Sequence, residues 1–458
     1  MRRFAFVLYL VFVASWFLHL GERVAALGAA RVDLILLVSI AALILVTKKE
    51  SPPGGDPRIR RLILGLTAYA VVTTPFVQWP GSVLLKGLPA FIKAFVFYYF
   101  TAELVTTESQ LRKLLFVFIA AQAFRVMEPL YLHVTQGYWG SFATMWDGGQ
   151  METMNRLAGA PSDVINPNGL AFVILTVIPF FHYLGPMTTR GALLYVAFLP
   201  AALWALVLTG SRSGLLGLAI TILVVWWQSQ RKLLLGAVVV VAGVITLQML
   251  PGDLSDRYLS IFDSNTKNAA TAEGRVQGTV RDLQVALRRP FFGHGLGTSL
   301  EANANFAKSA QRSHNLYTEV AQELGFVGLA IVLVLLATIA RAVGGMLRAF
   351  MASNIRGGLI FRLSLAVRTW FGMNILFSFA SYGLSSYEWY FLAGLSEVMG
   401  RYIARVACLP EPAAGAPGPG MLRSPGSAKP ARRAEAAKSA AFVSAQFPGH
   451  AVCTSRPR

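Results

Sequence analysis

Residues 312–333 read RSHNLYTEVAQELGFVGLAIVL. The first half is polar and carries His314, Glu319 and Glu323; the second half is almost wholly apolar. Carboxylates are expensive inside a membrane helix and usually face a cavity or a partner. A helix that begins polar and continues apolar therefore reads as a membrane span whose mouth carries chemistry. Gly325 and Gly328 would let it pack closely against a neighbouring helix.

The whole chain agrees with a membrane reading. Of its 458 residues, 55% are hydrophobic and only 14% are charged, against about 25% charged in soluble domains. Such a balance fits many transmembrane segments rather than one large soluble core. The formal charge of +19 would suit nucleic acid. The basic residues, however, stand between apolar stretches and not on a soluble face, so no nucleic-acid partner is expected. Cys408 and Cys453 both lie near the C-terminus, which leaves no disulfide framework and no thiol-based metal site. The opening MRR followed by FAFVLYLVFVASWFLHL has the form of a signal peptide, with ALGAA as a passable cleavage sequence. Another apolar run follows at once, so an uncleaved first helix is expected.

Apolar runs of about the length that crosses a hydrocarbon layer fall at 4–20, 32–47, 62–79, 83–104, 112–133, 164–184, 192–209, 213–229, 232–250, 315–341, 364–384 and 388–406. Lipid offers no hydrogen-bond partner to an open strand, so each must be helical. The expected fold is all-α: a polytopic integral membrane protein of about 12 helices over 1–406. Arg2, Arg3, Lys48, Lys49, Arg58, Arg60, Arg61, Arg112, Lys113, Arg190, Arg231, Lys232, Arg341, Arg348, Arg356 and Arg362 all fall on one side of that count. The positive-inside bias makes that side cytoplasmic, with both termini inside. The outer side has two long loops, about 134–163 and 251–314, and long loops are usually functional. Residues 407–458, rich in Ala, Pro, Gly and basic residues, read as a disordered cytoplasmic tail. That tail either touches anionic lipid heads or is merely tolerated.

The outer side gathers the polar motifs. In LTGSRSGLLGL (208–218), Ser211 is a suitable N-cap, which puts Arg212 in the first turn of the next helix. A helix N-terminus plus an arginine makes an anion site; the bland alternative is an arginine snorkelling to lipid phosphates. In TAEGRVQGTVRDLQVALRRPFFGHGLGTS (271–299), Val276, Val280, Leu283 and Leu287 recur at helical spacing. They suggest an amphipathic helix lying on the membrane or on the helix bundle. Arg275 and Arg281 sit off that stripe; Arg275 either faces a substrate or is a solvated surface charge. The GHGLG run has no preceding strand and reads as a tight loop allowing close backbone approach, with His294 ambiguous. His314, Tyr317 and Thr318 share one helix face, beside Asn315, and Glu319 lies on an adjoining face. Lys93 is too deep in its helix to snorkel cheaply. Arg125 and Glu128, three apart, either pair with each other or meet substrate. Asp163, Asn166 and Asn168 at the mouth of the sixth helix either bind sugar hydroxyls or cap the helix.

In order along the chain, S-R-S-G opens a helix, E-G-R and R-R-P-F-F-G-H-G-L-G follow in a long outer loop, and S-H-N-L-Y-T-E-x-x-x-E-L-G-x-x-G-L begins the next helix. This order resembles the O-antigen ligase and O-antigen polymerase superfamily, strongly over about 160–340. The resemblance implies a bacterial inner-membrane glycosyltransferase of the GT-C type. Such an enzyme moves a glycan from undecaprenyl diphosphate to an acceptor hydroxyl on the periplasmic side, with no cofactor and no metal. The acceptor would be lipid A core, another carrier-linked glycan, or a protein. The family's key arginines fall on Arg212 and Arg275, and its key histidine on His314. Asn315, Tyr317, Arg281, Lys93, Asn168 and Glu319 are further expected substrate contacts.

The chemistry suits these residue types. A diphosphate leaving group must be stabilised, and arginine forks bind phosphate oxygens bidentately. Histidine can take a proton from a hydroxyl near neutral pH. No paired-carboxylate hydrolase arrangement is visible, so inverting displacement is expected. The rival reading is a twelve-helix transporter or flippase of lipid-linked glycan. Such proteins usually divide into matching halves, and none are apparent here.

Overall fold

The computed structural model describes residues 1–47, 56–147, 150–237, 240–241, 269–309, 311–352, 357–380 and 383–407. Most of the expected span 232–250, the loop residues 251–268 and the tail beyond 407 lie outside the described residues.

Helices dominate. In chain order they are α1 (Arg2–Leu18), α2 (Val32–Val46), α3 (Pro57–Val72), α4 (Leu88–Leu104), α5 (Glu108–Gln136), α6 (Pro167–Leu184), α7 (Thr189–Leu208) and α8 (Arg212–Gln228). Then come α9 (Ala269–Ala286), α10 (Ser299–Ala307), α11 (Leu316–Ala352), α12 (Leu359–Phe377) and α13 (Tyr387–Ala407). Local chemistry sets their edges. Thr107 and Gln110 form a capping box before α5, Asn166 caps α6 through the Gly169 N–H, and Ser211 caps α8 through the Gly214 N–H.

One expectation changes. Residues 140–157 are not an unstructured loop: Gly140–Asp147 (β1) and Gln150–Leu157 (β2) pair antiparallel, with Gly140 opposite Leu157. The sequence GSFATMWD places Phe142, Thr144 and Trp146 at alternate positions and runs into Asp147-Gly148-Gly149, a hairpin turn signal. The protein is thus mostly helical and not all-α. Six described helices are long and apolar enough to cross a membrane: Pro80–Leu104, Glu108–Gln136, Pro167–Met187, Thr189–Leu208, Leu316–Ala352 and Leu359–Phe377. Val32–Val46 and Arg212–Gln228 are shorter apolar helices. Arg2–Leu18 and Pro57–Val72 are 17 and 16 residues long and carry arginines in the first turn, and Tyr387–Ala407 carries Glu388, Glu397 and Arg401. The chain is a multi-pass membrane protein.

Packing gives the bundle two distinct ends. At one, Glu103 lies between Arg2 (3.9 Å) and Arg60 (3.4 Å), Arg401 pairs with Glu397, and Arg362 donates to the Tyr183 carbonyl. At the other stand the mouths of α6, α8 and α11. Between them, ring packing locks the helices: Phe118 meets Phe391 at 4.9 Å, Phe180 at 5.4 Å and Phe17 at 5.4 Å. Such contacts are worth about 0.5–1.5 kcal/mol each beyond burial. They matter more where lipid removes the hydrophobic drive between helices.

One feature places the site. α11 is broken at Gly325, whose φ of 71° and ψ of −178° are not helical. The break separates the polar turns 316–324 from the apolar remainder. The cause is the loop after α9, which inserts its backbone there. The Phe326 N–H donates to the Pro290 carbonyl (2.7 Å), and a Cβ on Gly325 would lie 2.2 Å from the Phe291 oxygen. Gly325 therefore serves a loop-to-helix contact, not the helix-to-helix contact expected from sequence. The carbonyls freed by the break are all engaged. Gln322 O accepts from His294 N–H and Glu323 O from Gly295 N–H, each at 2.9 Å, and Leu324 O accepts from the Tyr69 hydroxyl at 3.0 Å.

Gly325→Ala must shift the inserted backbone and adopt a left-handed φ. It should destabilise by more than about 1 kcal/mol, seen as a lowered midpoint in a thermal melt of the detergent-solubilised protein. Gly344→Ala, in the same helix with nothing within 4 Å of its would-be Cβ, should be neutral or stabilising.

Candidate active site

The mouth of α8 is built from the hairpin. Gly210 takes a left-handed φ of 56° to turn the chain into the helix. Asn168 Oδ1 accepts from two donors, Ser211 Oγ at 2.8 Å and Arg156 Nη2 at 3.1 Å. Arg156 Nε also donates to the Thr209 carbonyl at 2.8 Å. Ser211 Oγ in turn accepts from the Gly214 N–H at 3.1 Å. Gly214 is small for a reason: a Cβ there would lie 2.8 Å from Ala171 Cβ on α6. This strut fixes the first turn of α8 and hence Arg212, which is half-buried.

The second wall is α9 with α10. Asp282, buried, accepts from Asn303 Nδ2 (2.9 Å) and lies 3.4 Å from Arg281 Nη2. Arg281 Nη1 donates to Ser309 Oγ (2.8 Å), and Gln322 Nε2 donates to Asn303 Oδ1 (2.6 Å). A buried polar network thus joins α9, α10 and the broken helix. Glu323 completes it: its carboxylate accepts the N–H groups of Gly297 (2.7 Å) and Ser299 (3.2 Å), at the N-terminus of α10.

His314 stands at the top of the half-helix, which is fastened on both sides. Asn315 Oδ1 accepts from Tyr317 N–H (2.9 Å) and lies 3.4 Å from Thr318 N. The Leu316 N–H donates to the Ser378 carbonyl (2.9 Å) and the Tyr317 hydroxyl to the Ile375 carbonyl (2.9 Å). The charge of Arg275 acts on both Arg212 and His314. Three cationic or titratable groups, from α8, α9 and the α11 mouth, therefore converge at one end of the bundle. Partial burial lowers the His314 imidazole below its ordinary value; the Arg275 and Arg281 charges lower it further, against an opposing pull from Asp282.

The remaining expected contacts divide. Asn168, Asn315, Tyr317 and Arg281 lie in the framework that holds this group, each bonded to protein as described. Glu319 lies below His314, its carboxylate oxygens 2.5 and 2.6 Å from where a Gly383 Cβ would stand. Lys93 is exposed on the side of α4. No hydrogen bond or ion pair with a described residue links it to the site. Arg125 does not pair with Glu128. It binds Asp163 through two nitrogens at 2.6 and 3.0 Å, while Glu128 pairs with Arg23, because the mouths of α1 and α6 bring those partners closer. His294 is fully buried, its Nε2 3.0 Å from the Val285 carbonyl and its ring against Phe306 and Trp79. It is a packing residue of the GHGLG loop. That loop is the close backbone approach expected of its glycines: a Cβ on Gly87 would lie 1.9 Å from the Leu296 oxygen. Among the described residues, no group of three or more His, Cys, Asp or Glu could hold a metal ion.

Arg156 and Asp282 were not singled out in the sequence. Arg156 lies next to the last residue of β2, a strand that the sequence signals only through the Asp147-Gly148-Gly149 motif. Asp282 sits next to Arg281 within an ordinary-looking charged helix.

Residues 196–333 match the family model described as O-antigen ligase. The matched segment begins within α7 and ends in α11, and so contains Arg212, Arg275, His314 and the Gly325 break. It implies glycan transfer of the O-antigen ligase or polymerase type. No curated protein matches the chain.

Removing Arg156 should cost about 1–3 kcal/mol, because Asn168 Oδ1 and the Thr209 carbonyl lose a buried donor. Arg156→Ala and Asn168→Ala should be non-additive by at least about 0.5 kcal/mol in a double-mutant cycle of unfolding free energies. Strictly additive values would mean that the strut does not couple them.

Proposed function

We propose that the chain transfers a glycan from an undecaprenyl diphosphate carrier to an acceptor hydroxyl, by single displacement with inversion at the anomeric carbon. The convergence of Arg212, Arg275 and His314 at one end of the bundle carries this reading. The acceptor oxygen attacks the anomeric carbon, the bond from that carbon to the phosphate oxygen breaks, and its electron pair leaves on the diphosphate. Arg212 and Arg275 hold the diphosphate and take up the developing charge without need of a metal ion; such preorganised donors are often the largest catalytic contribution. His314 accepts the acceptor's proton. Asn315, Tyr317, Arg281 and Asn168 keep those three groups in place, with Glu319 beneath them.

The site end faces the periplasm of a bacterial inner membrane. In support, the arginines at the opposite end match the cytoplasmic bias of basic residues. Acceptors consistent with this chemistry are the lipid A core and a second carrier-linked repeat. Deletion of the gene with gel analysis of surface glycans separates them. Loss of all long chains from the core points to ligation; a single repeat left on the core points to polymerisation. Unchanged lipopolysaccharide with lost exopolysaccharide points to exopolysaccharide polymerisation.

Arg212→Ala, Arg275→Ala and His314→Ala, at wild-type membrane levels, should each reduce transfer by about 10²-fold or more, measured with a purified lipid-linked donor. Retention of full transfer by all three would sink the enzyme reading. The pH profile supplies a second check. A base must be neutral to work, so the acid limb of kcat/KM, which reports the free enzyme, should have its midpoint below the ordinary histidine pKa of about 6.5. Removing the positive charge of Arg275 raises the pKa of His314. Residual activity of Arg275→Ala should therefore have its acid limb shifted to higher pH.

A further inference from the structure

The loop after α9 lies deep beside the bundle, and its outer surface exposes Leu287, Phe291 and Phe292 beside Arg288. The Leu316 N–H meets the Ser378 carbonyl at the end of α12, so the mouth of α11 is level with the end of α12. α12 has 19 residues, about 28 Å of helix, close to the roughly 30 Å thickness of a hydrocarbon core. Gly325 comes nine residues below Leu316, about 13 Å further in. The carbonyls of Pro290 and Phe291 meet Gly325, so the loop reaches well into the membrane's apolar layer from the site side.

At that depth Leu287, Phe291 and Phe292 are 59%, 68% and 45% exposed, and Leu283 above them 43%. They continue the exposed apolar side of α3 and the turn after it, where Val71, Val72 and Phe76 face outward; Phe76 and Phe292 are 5.7 Å apart. Irregular backbone survives at membrane depth only when protein satisfies it, and protein satisfies the following groups of this loop. Arg289 N–H bonds Ala286 O, Gly293 N–H bonds Arg289 O, and Pro290 O accepts from Phe326 N–H; Phe291 O accepts from the Tyr69 hydroxyl. The two neighbouring cations are engaged as well: Arg289 Nη1 donates to the Phe76 carbonyl (3.0 Å), and Arg288 lies over the Phe306 ring.

We propose that residues 287–292 form a re-entrant wedge whose Leu287, Phe291 and Phe292 contact lipid acyl chains in the site-side half of the membrane. The wedge anchors the lower end of α9 in the bilayer, and Arg275 rises from that anchored helix. The proposal rests on the membrane-spanning fold and is independent of the glycan-transfer reading.

The test uses the full chain with Cys408 and Cys453 replaced by serine, reconstituted in phosphatidylcholine–phosphatidylglycerol vesicles. Single spin labels go on Leu287→Cys, Phe292→Cys and, at the exposed site mouth, Gln311→Cys. At 287 and 292, relaxation by oxygen should dominate, and accessibility to a water-soluble nickel chelate should be several-fold lower than at 311. Nickel accessibility equal to that at 311 would place the wedge in water. Shielding from both reagents would mean that protein covers it. Either result overturns the proposal. Leu283→Cys gives an independent reading if one variant misfolds, and no readout depends on enzyme activity.

Discussion

The break at Gly325 is the constraint on which the site depends. A continuous helix from Leu316 would hold Gln322 and Glu323 in its own ladder and leave no room for the loop after α9. Breaking it frees carbonyls at a depth where water is scarce, and freed carbonyls there are costly unless paired. The GHGLG backbone and Tyr69 pair them, and Glu323 returns the favour by accepting two N–H groups of the α10 entrance. Loop and helix break therefore stabilise each other, and neither makes sense alone. Only glycine permits this: its missing Cβ leaves space for the Phe291 carbonyl and allows the positive φ.

That reciprocity explains how a long loop can present functional groups with fixed geometry. α9 is tied to α10 through Asp282 and Asn303, and α10 to the half-helix through Asn303 and Gln322. The half-helix is tied to α12 through Ser378 and Ile375. Arg275 and His314 thus sit on one braced unit. Arg212 sits on another, braced by Arg156 and Asn168 through the hairpin. Two rigid walls facing each other suit a site that must hold a charged group between them with little reorganisation at the moment of reaction.

What the sequence disclosed and withheld follows from the range of each interaction. Helix edges were legible where caps are local: Ser211 before Arg212 is visible within four residues, and the structure has it capping as expected. The tight GHGLG loop was legible because three glycines in five positions leave few other uses. The grouping of Arg212, Arg275 and His314 on one side followed from topology alone. Partners set by tertiary packing were not legible. Arg125 chooses Asp163, 38 residues away, over Glu128 three residues away. Arg156 reaches Thr209, 53 residues on, from a strand that membrane-helix reasoning had no cause to expect. Gly325 was read as a helix-packing glycine because nothing local distinguishes a glycine that meets a helix from one that meets a loop.

The electrostatics of the group give the proposed reaction a direction. In the protein alone, Arg275 and Arg281 outweigh Asp282 at His314, so the imidazole is held toward its neutral form. A diphosphate seated on Arg212 and Arg275 would offset that positive charge. His314 would then bind a proton more readily once the donor is present than before. As the bond to the leaving group lengthens, negative charge grows on the diphosphate, and a proton arriving on His314 becomes still more favourable. The same arginines that depress the base in the empty site would thus, through the anion they hold, favour its protonation when the acceptor hydroxyl needs to lose a proton. A histidine placed beside arginines is a poor base for an anion-free site and a suitable one for this chemistry.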